Sequence, residues 1–211
     1  PFRDIQDGID AAPTGDTVLV LPGTYAGTGN RPDNRQLEFV DDKGTSNTED
    51  DSAKNIVLKS RDGAATTFID SRNYRAFEIG NSTDTTLQII GFTIKNGDEA
   101  YPLVDIEGPN YITSSTNRVP WNPVFENCRF MHTTSEISLN AWSGKTVIHI
   151  FRASPTFDGC TFRGLKKTNS ESYNGTRYFY APIRIVGNDV NYTAQSGAYT
   201  HLDSVVYRPK Y

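Results

Sequence analysis

Four residues able to move protons or neutralise charge occupy equivalent places in four short segments. The segments are Phe77-Glu78-Ile79, Val104-Asp105-Ile106, Ile148-His149-Ile150 and Ile183-Arg184-Ile185. Each runs apolar, polar, apolar, so in a strand the central side chain faces away from the buried side. A carboxylate beside an imidazole beside a guanidinium can transfer a proton and neutralise a sugar acid. Glu78, Asp105, His149 and Arg184 are therefore the candidate catalytic set, provided the four segments lie side by side. The solvated face of four strands would carry the same column, with opposite charges adjacent to reduce repulsion.

Two insertions precede the last two of these segments, over residues 132–145 and 165–180. They carry Trp142, Tyr173, Tyr178, Phe179 and Tyr180, with Lys166 and Lys167. Aromatic faces stack on sugar rings and tolerate a wet interface. Trp142, Tyr173, Tyr178, Tyr180, Lys166 and Lys167 form the candidate ligand-binding set. The competing role for Tyr178-Phe179-Tyr180 is to fold back over an exposed edge. Trp121, on the insertion over 109–122, reads as a loop anchor.

The elements that must position these groups are mostly strands. Helical spacing is confined to Phe2, Ile5, Ile9 and Ala12, with Pro13 as the stop, which predicts a cap helix within residues 1–13. Beyond it, short alternating segments are divided by Gly, Asn, Asp, Ser and Thr. A period then appears. Asn122-Pro-Val-Phe-Glu-Asn-Cys-Arg-Phe130 returns 32 residues later as Ser154-Pro-Thr-Phe-Asp-Gly-Cys-Thr-Phe162, and Ile89-Ile-Gly-Phe-Thr-Ile94 is an earlier copy. The columns Ile89/Phe125/Phe157, Phe92/Cys128/Cys160 and Ile94/Phe130/Phe162 are apolar and should face inward. Thr93/Arg129/Thr161 should face out, and Gly91/Asn127/Gly159 should form a repeated left-handed corner. Cys128 and Cys160 read as buried stacked thiols, although adjacent parallel strands also permit a bridge. The pattern predicts a solenoid of roughly five coils.

The opening, Phe2 to Tyr25, ends in Gly15-Asp-Thr-Val-Leu-Val-Leu-Pro-Gly-Thr-Tyr25 and resembles the first coil of right-handed parallel β-helix proteins of the pectin-lyase-like superfamily. Asn55-Ile-Val-Leu-Lys-Ser60, Thr67-Phe-Ile-Asp70 and Gly91-Phe-Thr-Ile-Lys-Asn-Gly97 continue the likeness. The two Pro-x-Phe-x-x-Cys-x-Phe phrases resemble coil repeats of secreted and surface bacterial proteins. The resemblance implies an all-β, right-handed parallel β-helix with an N-terminal capping helix, spanning residues 1–211 as one domain. It does not imply one activity, because the superfamily includes lyases, hydrolases, esterases, epimerases, tailspikes and adhesins. The Gln- and Asp-bearing phrases of pectin methylesterases have no counterpart around Gln6, Gln36, Gln88 or Gln195. The Asn-Thr-Asp and His-Gly phrases of polygalacturonases and the Asp-Pro-His phrase of the epimerases are absent.

Composition narrows the remaining classes. The chain has 211 residues, 36% apolar, with 21 basic and 25 acidic side chains and a formal charge of −4. That balance disfavours nucleic-acid binding. Two cysteines exclude a disulfide framework or a Cys-rich metal module. No apolar run approaches the roughly 18 residues of a spanning helix, so no membrane insertion is expected. The acidic stretch Asp41, Asp42 and Glu49-Asp50-Asp51 offers oxygen ligands for calcium but no fixed ligand spacing, so a solvated loop is the expectation and no cofactor is assigned. The start at Pro1 and the uncapped strand near Leu202–Tyr207 suggest a piece of a longer chain continuing past Tyr211.

The expected function is a secreted or cell-surface module that binds a polysaccharide or surface glycan, or serves as a structural or adhesin scaffold for other domains of a parent protein. The alternative is a polysaccharide lyase or glycoside hydrolase with a groove on the outer face.

Overall fold

Strands of three or four alternating residues cannot bury a face alone, and this chain resolves the problem by stacking them. The computed structural model describes residues 1–27, 33–41, 52–72, 74–80, 87–97, 102–107, 122–131, 148–151, 153, 155–163, 171–173, 176–178, 183–186 and 206–208. Three parallel sheets result. The first stacks Thr17–Val20, Val57–Ser60, Gln88–Ile90, Val124–Glu126, Thr156–Asp158 and Val206–Arg208. The second stacks Gly23–Ala26, Thr67–Asp70, Thr93–Lys95, Arg129–Met131 and Thr161–Arg163. The third stacks Leu37–Glu38, Phe77–Gly80, Val104–Glu107, Ile148–Phe151 and Ile183–Val186. Each turn of chain adds one strand to each sheet, so the protein is an all-β parallel β-helix.

Register places like residues on like, and the inward columns make the core. In the first sheet Leu58, Ile89, Phe125 and Phe157 are stacked neighbours and all are fully buried. The Phe125 and Phe157 rings stack at 5.1 Å and 14°. In the second sheet Phe130 and Phe162 stack at 5.0 Å and 9°. Phe125 meets Phe130 edge-on at 5.7 Å, joining the two columns across the interior. Cys128 and Cys160 are free, buried thiols rather than a bridge. Each donates to a carbonyl of the preceding coil, Cys128 to Ile89 at 3.5 Å and Cys160 to Phe125 at 3.3 Å. Burial pushes the Cys128 thiol well up.

The corner between the first and second sheets turns on the column expected from the repeat. Gly91, Asn127 and Gly159 have φ of 78°, 54° and 59°. At Gly91 a Cβ would lie 3.3 Å from the Cα of Gly63, so both its conformation and its contacts call for glycine.

Two local expectations need correction. The cap helix spans Ile5–Ala11 only, and Phe2 lies outside it, 63% exposed. Asn34, from the first coil, fixes the start: its Oδ1 accepts the Ile5 N–H at 2.8 Å while its amide donates to Asp4. At the other end buried Lys54 donates its ammonium to the carbonyls of Ile9, at 2.9 Å, and Asp10. Ile5 and Ile9 close the first coil. The second correction concerns Thr93, in register with Arg129 yet only 1% exposed. The loop after Val57–Ser60 folds over it, and the Thr93 hydroxyl donates to the Ala64 carbonyl.

Candidate functional site

The third sheet brings the four candidate residues into one column. Glu78 pairs with Asp105, Asp105 with His149 and His149 with Arg184, strand by strand. Glu38 extends the column from the first coil, directly beside Glu78. The flanking residues Phe77, Ile79, Val104, Ile106, Ile148 and Ile150 are all buried, which fixes the register and turns the central residues outward. Successive coils are separated by roughly 4.8 Å.

Asp105 is the centre of the described contacts, although it is only 4% exposed. Its Oδ1 lies 2.8 Å from Nδ1 of His149, and its Oδ2 lies 3.0 Å from Nη2 of Arg75. Arg75 also reaches Oε2 of Glu78 at 3.2 Å through Nη1. One guanidinium thus bridges two carboxylates from neighbouring coils, and one carboxylate joins it to an imidazole. A carboxylate this buried needs such partners to offset the hydration it has lost. The His149 side chain is 21% exposed and that of Glu78 44%, so both reach the surface. Glu38 is half-buried, and burial raises its carboxyl above the usual glutamate range, with Glu78 and then Asp10 adding to the shift.

Sequence reasoning missed Arg75 because it sits on the connection entering the strand rather than in the column. A signal was present: Arg75-Ala-Phe-Glu78 repeats the spacing of Arg35-Gln-Leu-Glu38 one coil earlier. Arg35 itself is held elsewhere, 4.0 Å over the Tyr74 ring and donating to the Arg72 carbonyl.

The insertion-borne candidates are only partly described. Both insertions connect a second-sheet strand to a third-sheet strand, at Met131 to Ile148 and at Arg163 to Ile183. Within the second, Glu171–Tyr173 and Thr176–Tyr178 form an antiparallel pair, with Tyr173 opposite Thr176 and Tyr178 opposite Glu171. Trp121, Trp142, Lys166, Lys167 and Tyr180 lie outside the described residues. For Arg184 only the backbone register is described.

The acidic stretch is described only at Asp41, whose strand pairs with Ser52–Ala53. Among the described residues no group of three or more His, Cys, Asp or Glu is placed to hold a metal ion. No helix among them is long and apolar enough to cross a membrane. An open cleft of about 310 Å³ lies on the other side of the coil, between Asp62–Ala65 and the corner and strand residues Asn127, Arg129, Gly159 and Thr161. It contains none of the column residues, and half of its lining residues are Gly or Ala.

The arrangement is therefore a parallel β-helix carrying a charged, in-register column on one outer sheet. Comparison of the chain with protein-family models, with curated proteins and with solved structures gave no match.

Proposed function

We propose that this chain is a secreted or cell-surface β-helix module of the pectin-lyase-like kind, serving a larger parent protein as a glycan-binding scaffold. The binding surface is the outer face of the third sheet. The observation that carries this reading is the unbroken register of Glu38, Glu78, Asp105, His149 and Arg184. A parallel coil repeats polar groups along one line at a spacing comparable to the advance of one sugar residue, which suits a linear polymer lying along the axis. Trp142, Tyr173, Tyr178, Tyr180, Lys166 and Lys167 belong to insertions that enter this sheet, and their side-chain types suit stacking on sugar rings and charge pairing.

A second reading, turnover of the bound polysaccharide, is favoured by the 2.8 Å contact between His149 and Asp105. A carboxylate that orients an imidazole is the usual arrangement for a general acid or base. In that reading His149 transfers the proton, Asp105 orients it, and Glu78 and Arg184 complete the charge balance.

The test is retention of the chain on immobilised acidic and neutral polysaccharides, alongside assays for new reducing ends and unsaturated products. Retention without turnover, reduced in a His149→Ala variant, supports the binding module. Turnover lost in His149→Ala establishes the enzyme instead. Neither retention nor turnover contradicts both readings.

A further inference from the structure

We infer that the outer face of the first sheet docks a second copy of this chain about a two-fold axis. Side chains alternate along a strand, so the residues flanking buried Leu58, Ile89, Phe125 and Phe157 point outward. A solvated sheet face is normally polar, as the outward column of the third sheet is. On the first sheet Leu19 is 54% exposed, and Val57, Ile90 and Val124 are each partly exposed. Lys59 is exposed and has no side-chain partner among the described residues. Glu126 accepts from Nδ2 of Asn127 through Oε1 at 2.8 Å, which leaves Oε2 for a partner.

The order of these residues along the face selects the same chain as partner. From the first coil to the fifth, one outward row is Thr17, Val57, Gln88, Val124 and Thr156, which reads the same in both directions. The other is Leu19, Lys59, Ile90, Glu126 and Asp158, with a cation and a carboxylate one coil to either side of Ile90. A two-fold axis between two such faces, running along the Gln88–Ile90 strand, reverses the coil order and keeps each row opposite itself. Val57 then meets Val124 of the second copy and Lys59 meets its Glu126, each contact made twice. Ile90 meets Ile90, and the two Gln88 amides can pair oxygen to nitrogen across the axis. The outermost residues form a wet rim. The face is small, since strands of three or four residues over five coils cover about 12 Å by about 24 Å. Stable complexes cover roughly 800 Å² per partner, so a weak pair is expected, with a Kd of about 100 µM.

Sedimentation velocity of the full chain, from about 10 µM to about 1 mM, reads the association. The unsubstituted chain should pass from monomer to dimer over this range. Lys59→Glu and Glu126→Lys should each weaken the dimer at least about ten-fold, because each sets like charges together twice. An equimolar mixture of the two variants should recover association to within about three-fold of the unsubstituted chain, because both pairs across the axis are again opposite in sign. That recovery also shows that both variants fold. An unsubstituted chain that stays monomeric throughout overturns the inference. So does a dimer indifferent to either charge reversal, or one that the mixture fails to restore.

Discussion

Nδ1 of His149 lies 2.8 Å from Oδ1 of Asp105, a residue 44 positions earlier that is its immediate neighbour on the adjacent coil. Because the carboxylate can only accept, the contact assigns the proton at this position to Nδ1 of the ring. In the neutral side chain the proton should reside on Nδ1, which nitrogen-15 NMR of the imidazole reads directly. Asp105→Asn should alter that tautomer balance. It should also cost about 3 kcal/mol in urea unfolding, because it leaves Arg75 without its buried counter-charge. Glu78→Gln, at a more exposed partner of the same guanidinium, should cost no more than about 1 kcal/mol.

Glu38 should make the protein less stable at neutral pH than a neutral residue would. Its carboxyl is raised in the folded state by burial and by Glu78 and Asp10, so the folded chain disfavours its ionisation. The penalty is absent below the unfolded glutamate value, grows as pH rises through the folded value, and is constant above it. Glu38→Gln should therefore raise the urea midpoint at pH 7 and have little effect at pH 3.

The left-handed corner gives a test that does not involve charge. Asn127 stands at φ 54°, where the neighbouring coils use Gly91 and Gly159. Asn127→Gly should change stability by no more than a few tenths of a kcal/mol, whereas Asn127→Ala should cost about 1–2 kcal/mol. Gly91→Ala should cost more than Asn127→Ala, since its Cβ would also press on Gly63 at 3.3 Å. Thermal or urea unfolding of the three variants decides the order.

The phenylalanine column should dominate core stability. Phe125 contacts Phe77, Phe130 and Phe157 and is fully buried, so Phe125→Ala should cost about 3–5 kcal/mol in chemical denaturation. A cost below 1 kcal/mol would mean that the two aromatic columns do not meet in the interior.

The fold was readable because a parallel solenoid repeats its side-chain environment every coil. Phe125 and Phe157, or Asn127 and Gly159, announce themselves by recurrence alone. The column of Glu78, Asp105, His149 and Arg184 was readable for the same reason, since buried neighbours on both sides leave one register. Arg75 was not, because a connection carries no alternation and its reach across to Asp105 depends on a fold in the chain. Thr93 was misassigned because the Ala64 loop that buries it comes from the preceding coil. Phe2 matched the helical spacing, but the Asn34 contact that starts the helix at Ile5 comes from about 30 residues away.

The most direct test of a glycan-binding third sheet is to titrate the isotope-labelled chain with a neutral oligosaccharide from a polymer that retains it, following backbone amide shifts. The account predicts that the largest shifts fall on Glu78, Asp105 and His149 and their strand neighbours, and that they diminish in His149→Ala. Shifts centred instead on Asp62–Ala65 and Arg129, with the third sheet silent, would contradict it.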